Sequence, residues 1–260
     1  MSDKTENQKE NIEDLHQTDL PNLDKAYLHV DPLRETYRES IVHAPEARKA
    51  LKLHHIALLV IDLQYLDAAP GYGVFADVAT EGPVQAQEYY FKRLDHVVLP
   101  NVRRLQDAFR DLKLEVIHTR IQSLTQDGRD RSIGHQRLGL HAPPGSKEAE
   151  FLPEVKPKGD EIVINKTASG VFNATNLDYI LHNMSIDSLY VCGVYTNECV
   201  STTVRDACDR GFHTTLINDA CATVTPELHN ATIATLRDRY SRVMSADEVI
   251  KEIRQAGKNE

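Results

Sequence analysis

No continuous basic run, no CxxC pair and no apolar segment of membrane-spanning length occurs in these 260 residues. Each absence argues against a class of function. Acidic side chains outnumber basic ones, 39 against 30, for a formal net charge of -9. A surface of that sign repels phosphate backbones and anionic lipids, so neither a nucleic acid nor a membrane is expected as a partner. The Lys and Arg residues are scattered and form no aromatic-rich basic patch. No stretch approaches the ~20 apolar residues of a span, and the polar, acidic first residues lack the charged-then-apolar layout of a secretory leader. A cytoplasmic location is the expectation. The four cysteines, Cys192, Cys199, Cys208 and Cys221, all fall in the C-terminal half, in strand-like or helix-like segments. Their spacing favours neither zinc nor a disulfide framework. One reactive cysteine and three small buried apolar ones is the plainer reading.

The length suits one sizeable core. Residues 1–50 read as an N-terminal extension, polar to about Asp24, then mixing Tyr27, Leu28, Leu33, Tyr37 and Ile41 with charges. It is expected to be partly disordered or packed on the main domain or a neighbouring subunit. Residues 51–260 read as the main domain. Continuous apolar runs of strand length alternate there with longer mixed segments, the pattern of an α/β fold whose parallel strands are buried on both faces. The predicted strands are 56–63, 114–119, 161–165, 188–194 and 214–218, with 242–244 as a short sixth. The predicted helices are 88–112, with a candidate break at Pro100, then 175–184, 197–210 and 226–240. Gly211 suits a C-cap and Pro226 a first turn. Two long connections, 67–87 and 121–159, follow strand C-terminal ends, where an open parallel sheet binds its ligands.

Three of those strand ends carry chemistry. Asp62 ends the apolar run Ile56-Ala57-Leu58-Leu59-Val60-Ile61, where a carboxylate is costly to bury without a partner; capping the following loop is the alternative. Lys166 ends the third strand and would meet Asp62 if the two strands are neighbours; otherwise it is a solvated loop residue. The fourth strand turns at Gly193 through Tyr195 into a helix that carries Cys199 in its first turn. At 100° per residue, Val200, Val204, Ala207 and Cys208 fall on a side of that helix away from Cys199, which stands at the rim of the apolar stripe. The helix N-terminus and Lys166 favour a Cys199 thiolate. Asp62 can accept the thiol proton and return it to a leaving nitrogen, and N–H groups of the turn can receive the charge of a tetrahedral intermediate.

The chain resembles the isochorismatase-like cysteine hydrolases. The matching pieces are Leu58-Leu59-Val60-Ile61-Asp62-Leu63-Gln64, then Asn165-Lys166 with Gly170-Val171-Phe172, and Cys192-Gly193-Val194-Tyr195-Thr196-Asn197-Glu198-Cys199-Val200. The resemblance spans roughly residues 50–250. It implies a three-layer α/β/α fold with a mostly parallel, Rossmann-like central sheet of six strands and a catalytic triad of Asp62, Lys166 and Cys199. It also implies a cis peptide at Val194-Tyr195, an oxyanion hole from the backbone N–H groups of Tyr195 and Cys199, and a homo-oligomer, with a tetramer favoured. Nicotinamidases of this family carry an Asp-x-His metal motif and a further histidine. This chain has Asp77-Val78-Ala79 and no histidine between Leu63 and Leu94, so neither a metal nor another cofactor is expected. Isochorismatases proper lack the nucleophilic cysteine, so Cys199 points to amide or ureide cleavage.

The expected substrate is a small ureide or carbamoyl compound, biuret-like or N-carbamoyl, cut at a non-peptide C–N bond through a Cys199 thioester with release of ammonia. A broader hydrolase of aromatic or heterocyclic carboxamides is the rival, and an apolar, ring-sized pocket would favour it. A non-catalytic binding or redox-sensing member is the third reading, separated from the others by whether ammonia is released. The candidate substrate contacts are Gln64, Arg120, Phe172, Asn173 and Tyr195, with Arg129 and Arg131 weaker. Gln64 could instead cap a loop, and Arg120 could pair with Asp127 or Asp130.

Overall fold

The computed structural model describes residues 31–43, 51–76 and 81–258. The expectations for residues 1–30, for the side chain of Ile41 and for Asp77-Val78-Ala79 fall outside the described residues. Six strands form one sheet: β1 (Ile56–Ile61), β2 (Glu115–Ile121), β3 (Ile162–Lys166), β4 (Ser188–Val194), β5 (His213–Ala222) and β6 (Arg242–Met244). Their spatial order is β3-β2-β1-β4-β5-β6. Every pairing is parallel, where the sequence implied a mostly parallel sheet. All six residues of β1 are buried, because helices cover both faces of the sheet.

The helices Leu99–Asp111 and Ala246–Ala256 pack on one another and on the sheet. Ser201–Asp209 packs against β5 and in turn meets Pro226–Leu236 and Val171–Ala174. The result is a three-layer α/β/α domain. The candidate break at Pro100 does not occur. A helix runs from Glu81 to Arg93, passes through a π-helical stretch, Leu94–Val98, and continues as Leu99–Asp111 with Pro100 in its first turn. Proline lacks an N–H and crowds the carbonyl four residues back, and the wider π turn just before it relieves both demands. The helix also begins seven residues before its predicted start.

The C-terminal helix Ala246–Ala256 has no counterpart among the predicted elements. Its signal is the capping box of Ser245 and Glu248, followed by the buried face of Ala246, Val249, Ile250 and Ile253. Near the other end of the chain, the helix Arg34–His43 lies against the main domain, where Arg34 Nε bonds Asp238 Oδ2 at 3.2 Å.

β5 is longer than predicted and carries the irregularity of the sheet. Its pairing with β4 jumps from Val191↔Leu216 to Gly193↔Cys221. The carbonyls freed by this bulge are not left bare. Buried Arg93 donates to Asn218 O at 3.3 Å and Cys221 O at 3.1 Å, and Asn101 donates to Asp219 O at 3.0 Å. Such pairing is what buried backbone groups require.

Candidate active site

In a sheet of this order the chain reverses its direction of growth between β1 and β4, leaving a crevice beyond their C-terminal ends. Asp62 and the turn to Cys199 stand at that crevice. Asp62 has a φ of 53°, which swings its carboxylate off the end of β1. Thr119 Oγ1 at the end of β2 donates to Asp62 Oδ1 at 3.0 Å.

Lys166 arrives differently from the expected way, since β2 lies between β1 and β3. Its register partner is Ile121, two residues beyond Thr119. The lysine therefore starts higher than Asp62, and its four-carbon stem crosses over the end of β2. Its Nζ sits 2.7 Å from Asp62 Oδ2 and 3.3 Å from Cys199 Sγ, and donates to Ala168 O at 3.0 Å. Asp62 and Lys166 are fully buried and Cys199 is nearly so.

The cysteine is presented by a π-helical turn, Thr196–Val200, that leads into the helix Ser201–Asp209. The Val194-Tyr195 peptide is cis. Gly193 allows β4 to pass close to β1: its φ is 119°, and a Cβ would lie 2.0 Å from Ile61 O. The first i→i−5 bond of the turn is Val200 N–H to Tyr195 O at 3.2 Å, so the Cys199 N–H stands one residue ahead of it. Beneath the turn, Thr196 Oγ1 lies 2.9 Å from His229 Nδ1, and His229 Nε2 lies 2.9 Å from Asn218 Oδ1 at the bulge. Burial and then Arg93 hold His229 well below the usual imidazole range. The neutral ring therefore ties the cysteine's turn to the irregular strand.

The electrostatics correct one expectation. Burial pushes the Cys199 thiol well above its ordinary pKa; Lys166 pulls it down, but Asp62 adds to the rise. The resting group is a thiol, because the loss of water outweighs one ammonium that is already shared with Asp62. Burial also works against the charge of Lys166, yet Asp62 and Cys199 more than offset it and hold the ammonium above its usual range.

The predicted substrate contacts separate. Tyr195 belongs to the site. Its ring packs against Tyr90 at 5.0 Å, its hydroxyl donates to Asp67 O at 3.0 Å, and it borders a cavity of about 100 Å³ with Glu198, Leu138, Leu140, Val74, Thr223 and Val224. Gln64 is fully buried and spends its amide on the scaffold: Nε2 donates to Ile121 O at 2.9 Å and Glu148 O at 2.8 Å, and Oε1 accepts from Ile121 N–H. It ties strand ends to a loop.

Arg120 alternates with Thr119 and Ile121 along β2, so it falls on the sheet face opposite Lys166. There it bonds Asn165 Oδ1 at 2.7 Å and Ala149 O at 2.9 Å and covers the Phe151 ring. Neither Asp127 nor Asp130 pairs with it; Asp127 holds Arg129 at 3.0 Å, and Asp130 accepts from Leu124 N–H and Thr125. Arg131 bonds the carbonyls of Gly128 and Leu140, shaping its own loop.

Phe172 stacks on Phe212 at 5.7 Å. Phe212 borders a second cavity, of about 230 Å³, beside the N-terminal starts of β4 and β5. Seven residues of β4 separate that edge from the cysteine's, roughly 20 Å of strand. Phe172 is a packing residue of the far side, and Asn173 is exposed.

Four residues of the site escaped the sequence reading: Thr119, Thr196, Asp67 and His135. Burial and then the charge of Asp62 raise the Asp67 carboxyl well above the carboxylate range, against Lys166. His135, on the short helix Ile133–Arg137, is buried, and burial and then Lys166 lower its pKa to about 4. A polar residue in a long loop carries no local mark that it folds back over a strand end. Thr119 alone had a signal, its place at the end of a predicted strand.

A parallel three-layer domain with a buried cysteine, lysine and aspartate at its switch point is the arrangement of a cysteine hydrolase. The chain belongs to the isochorismatase family, whose domain model matches residues 57–248. It is 30% identical over 162 residues to the uncharacterized isochorismatase family protein YwoC of Bacillus subtilis, covering 60% of this chain and 84% of that one. It is 28% identical over 162 residues to N-carbamoylsarcosine amidase of Arthrobacter sp, covering 59% of this chain and 60% of that one. The crystal structure of a cysteine hydrolase from Pseudomonas syringae pv. phaseolicola 1448A shares the fold, with a TM-score of 0.66 at 22% identity, over 80% of this chain and 97% of that one. Among the described residues no helix is long and apolar enough to cross a membrane.

Proposed function

We propose that this protein is a cysteine-dependent amidohydrolase that cleaves a non-peptide C–N bond of a small ureide or carbamoyl compound. The observation that carries the reading is the buried chain of contacts from Asp62 through Lys166 to Cys199, 2.7 Å and 3.3 Å long. Because Cys199 rests as a thiol, attack on the substrate carbonyl is coupled to transfer of its proton to Asp62. Lys166 stays protonated and holds both partners. The oxyanion formed is received by the N–H groups of Tyr195 and Cys199. Collapse of the intermediate breaks the C–N bond as Asp62 passes the proton to the leaving nitrogen, releasing ammonia and leaving a thioester. Water, deprotonated by Asp62, then hydrolyses the thioester and returns the thiol.

The amidase named among the relatives, which acts on N-carbamoylsarcosine, supports a carbamoyl substrate. Ammonia release from biuret, carbamoyl amino acids, ureidoacrylate and nicotinamide decides the substrate class. Mass spectrometry of the protein stopped during turnover is expected to find the acyl adduct on Cys199. An adduct elsewhere, or full turnover by Cys199→Ala, would refute the mechanism.

A further inference from the structure

Beside the triad lies a carboxyl group that the mechanism above does not use. Asp67 sits on the short helix Tyr65–Ala68 that follows β1, and it is only 3% exposed. Its main-chain carbonyl is held twice, by Tyr90 Oη at 2.7 Å and by Tyr195 Oη at 3.0 Å. Two tyrosines packed on one another, their rings 37° apart, thus fix the backbone of a residue whose carboxyl oxygen Oδ2 is buried and meets no hydrogen-bond partner among the described residues. The charges acting on this carboxyl are those of Asp62, Lys166 and Glu198. Lys166 is already paired with Asp62, so an anion here would be buried beside a second anion without a cation of its own. Such a group is far costlier to bury as a carboxylate than as the acid. A second unspent atom, His135 Nδ1, is buried in the surroundings of the same Lys166.

We propose that Asp67 determines specificity: as a neutral acid it presents an O–H and a C=O side by side, and these receive the C=O and N–H of a second amide unit in the substrate, the one that is not cleaved. The proposal rests on hydrolysis at Cys199 and narrows it to small compounds with two linked amide or ureido units. The acid and an amide edge match donor to acceptor twice, in one plane. A monoamide offers Asp67 no second unit, and a site that leaves a buried polar group unpaired discriminates strongly against the ligand that lacks the partner.

The test compares the full-length protein with Asp67→Asn and Asp67→Ala on biuret, acetylurea and nicotinamide. Ammonia release is the main readout, and the pH profile of Cys199 alkylation by iodoacetamide reports on the triad. Asparagine keeps a donor beside an acceptor and is expected to hold kcat/KM on the two ureides within about tenfold. Alanine removes both and is expected to lower it about 100-fold, chiefly through KM, without moving the alkylation profile. Equal ureide turnover by Asp67→Ala and the parent overturns the role of Asp67 and leaves the hydrolase reading intact. A loss of 100-fold or more in Asp67→Asn, or an alkylation profile moved to lower pH in that variant, would reveal a charged carboxylate and overturn it as well. A parent enzyme that cuts nicotinamide but neither ureide removes the substrate class and the Asp67 role together, while Cys199-dependent amide hydrolysis would stand. Should Asp67→Ala fail to fold by circular dichroism, the asparagine variant decides alone.

Discussion

Cys199 acts from a position that would make a poor nucleophile in isolation. The residue is only 4% exposed, and that burial outweighs the ammonium 3.3 Å away. In the proposed mechanism, activation therefore depends on transfer to Asp62 during attack rather than on a standing thiolate. Without substrate, alkylation by iodoacetamide is expected to be slow at neutral pH and still climbing above pH 9, the ordinary thiol value. Lys166→Met, which removes the one opposing cation, is expected to push that profile further alkaline. A plateau below pH 8 in the parent would mean a resting thiolate and contradict this account. The same residues show what could be read in advance. Asp62, Lys166 and Cys199 each end a buried run or open a helix, so their place at one edge followed from the chain's own punctuation. Gln64, Arg120 and Phe172 carry equally suggestive side chains, but their directions were set by a loop, a pleat and a neighbouring ring.

At the scale of elements, the site is a meeting of two strand ends, and Gly193 is what lets them meet. Ile61 is its register partner on β1, and a Cβ at Gly193 would fall 2.0 Å from the carbonyl of that partner. Gly193→Ala is expected to force β4 away from β1, with loss of measurable turnover and a melting temperature lower by several degrees, both read on one preparation. Wild-type activity in that variant would show the strands to be free to shift. The π-helical turn and the bulge in β5 are joined by Thr196, His229 and Asn218, so the irregular parts of two elements support one another. Neither irregularity was visible in the sequence, because periodicity reports regular faces only. Pro100 leaves the sequence reading open for the same reason: a proline signals a candidate break, and only the π turn next to it shows how the break is avoided.

For the whole molecule, burial of titratable groups ties stability to pH. His135 ionises at about 4 in the fold against an ordinary 6.5. The neutral ring contributes stability that is fully present above the unfolded value and is lost as pH falls from 6.5 toward 4, where the unfolded chain binds a proton that the folded one refuses. His135→Gln cannot bind that proton in either state. The melting temperature of the parent is therefore expected to fall relative to that variant across this window, and a constant difference between the two would refute the shift. The sequence by itself determined the α/β class, five of the six strands to within a few residues, and which three chemical groups end at one edge. It could do so because buried runs, helix starts and strand ends are local patterns. Tertiary structure alone decided that β2 separates the strands of Asp62 and Lys166, that Arg120 faces away, and that Asp67 and His135 are buried within the influence of the Asp62 and Lys166 charges. Those facts depend on strand order and loop return, and both are settled by packing between residues far apart in the chain.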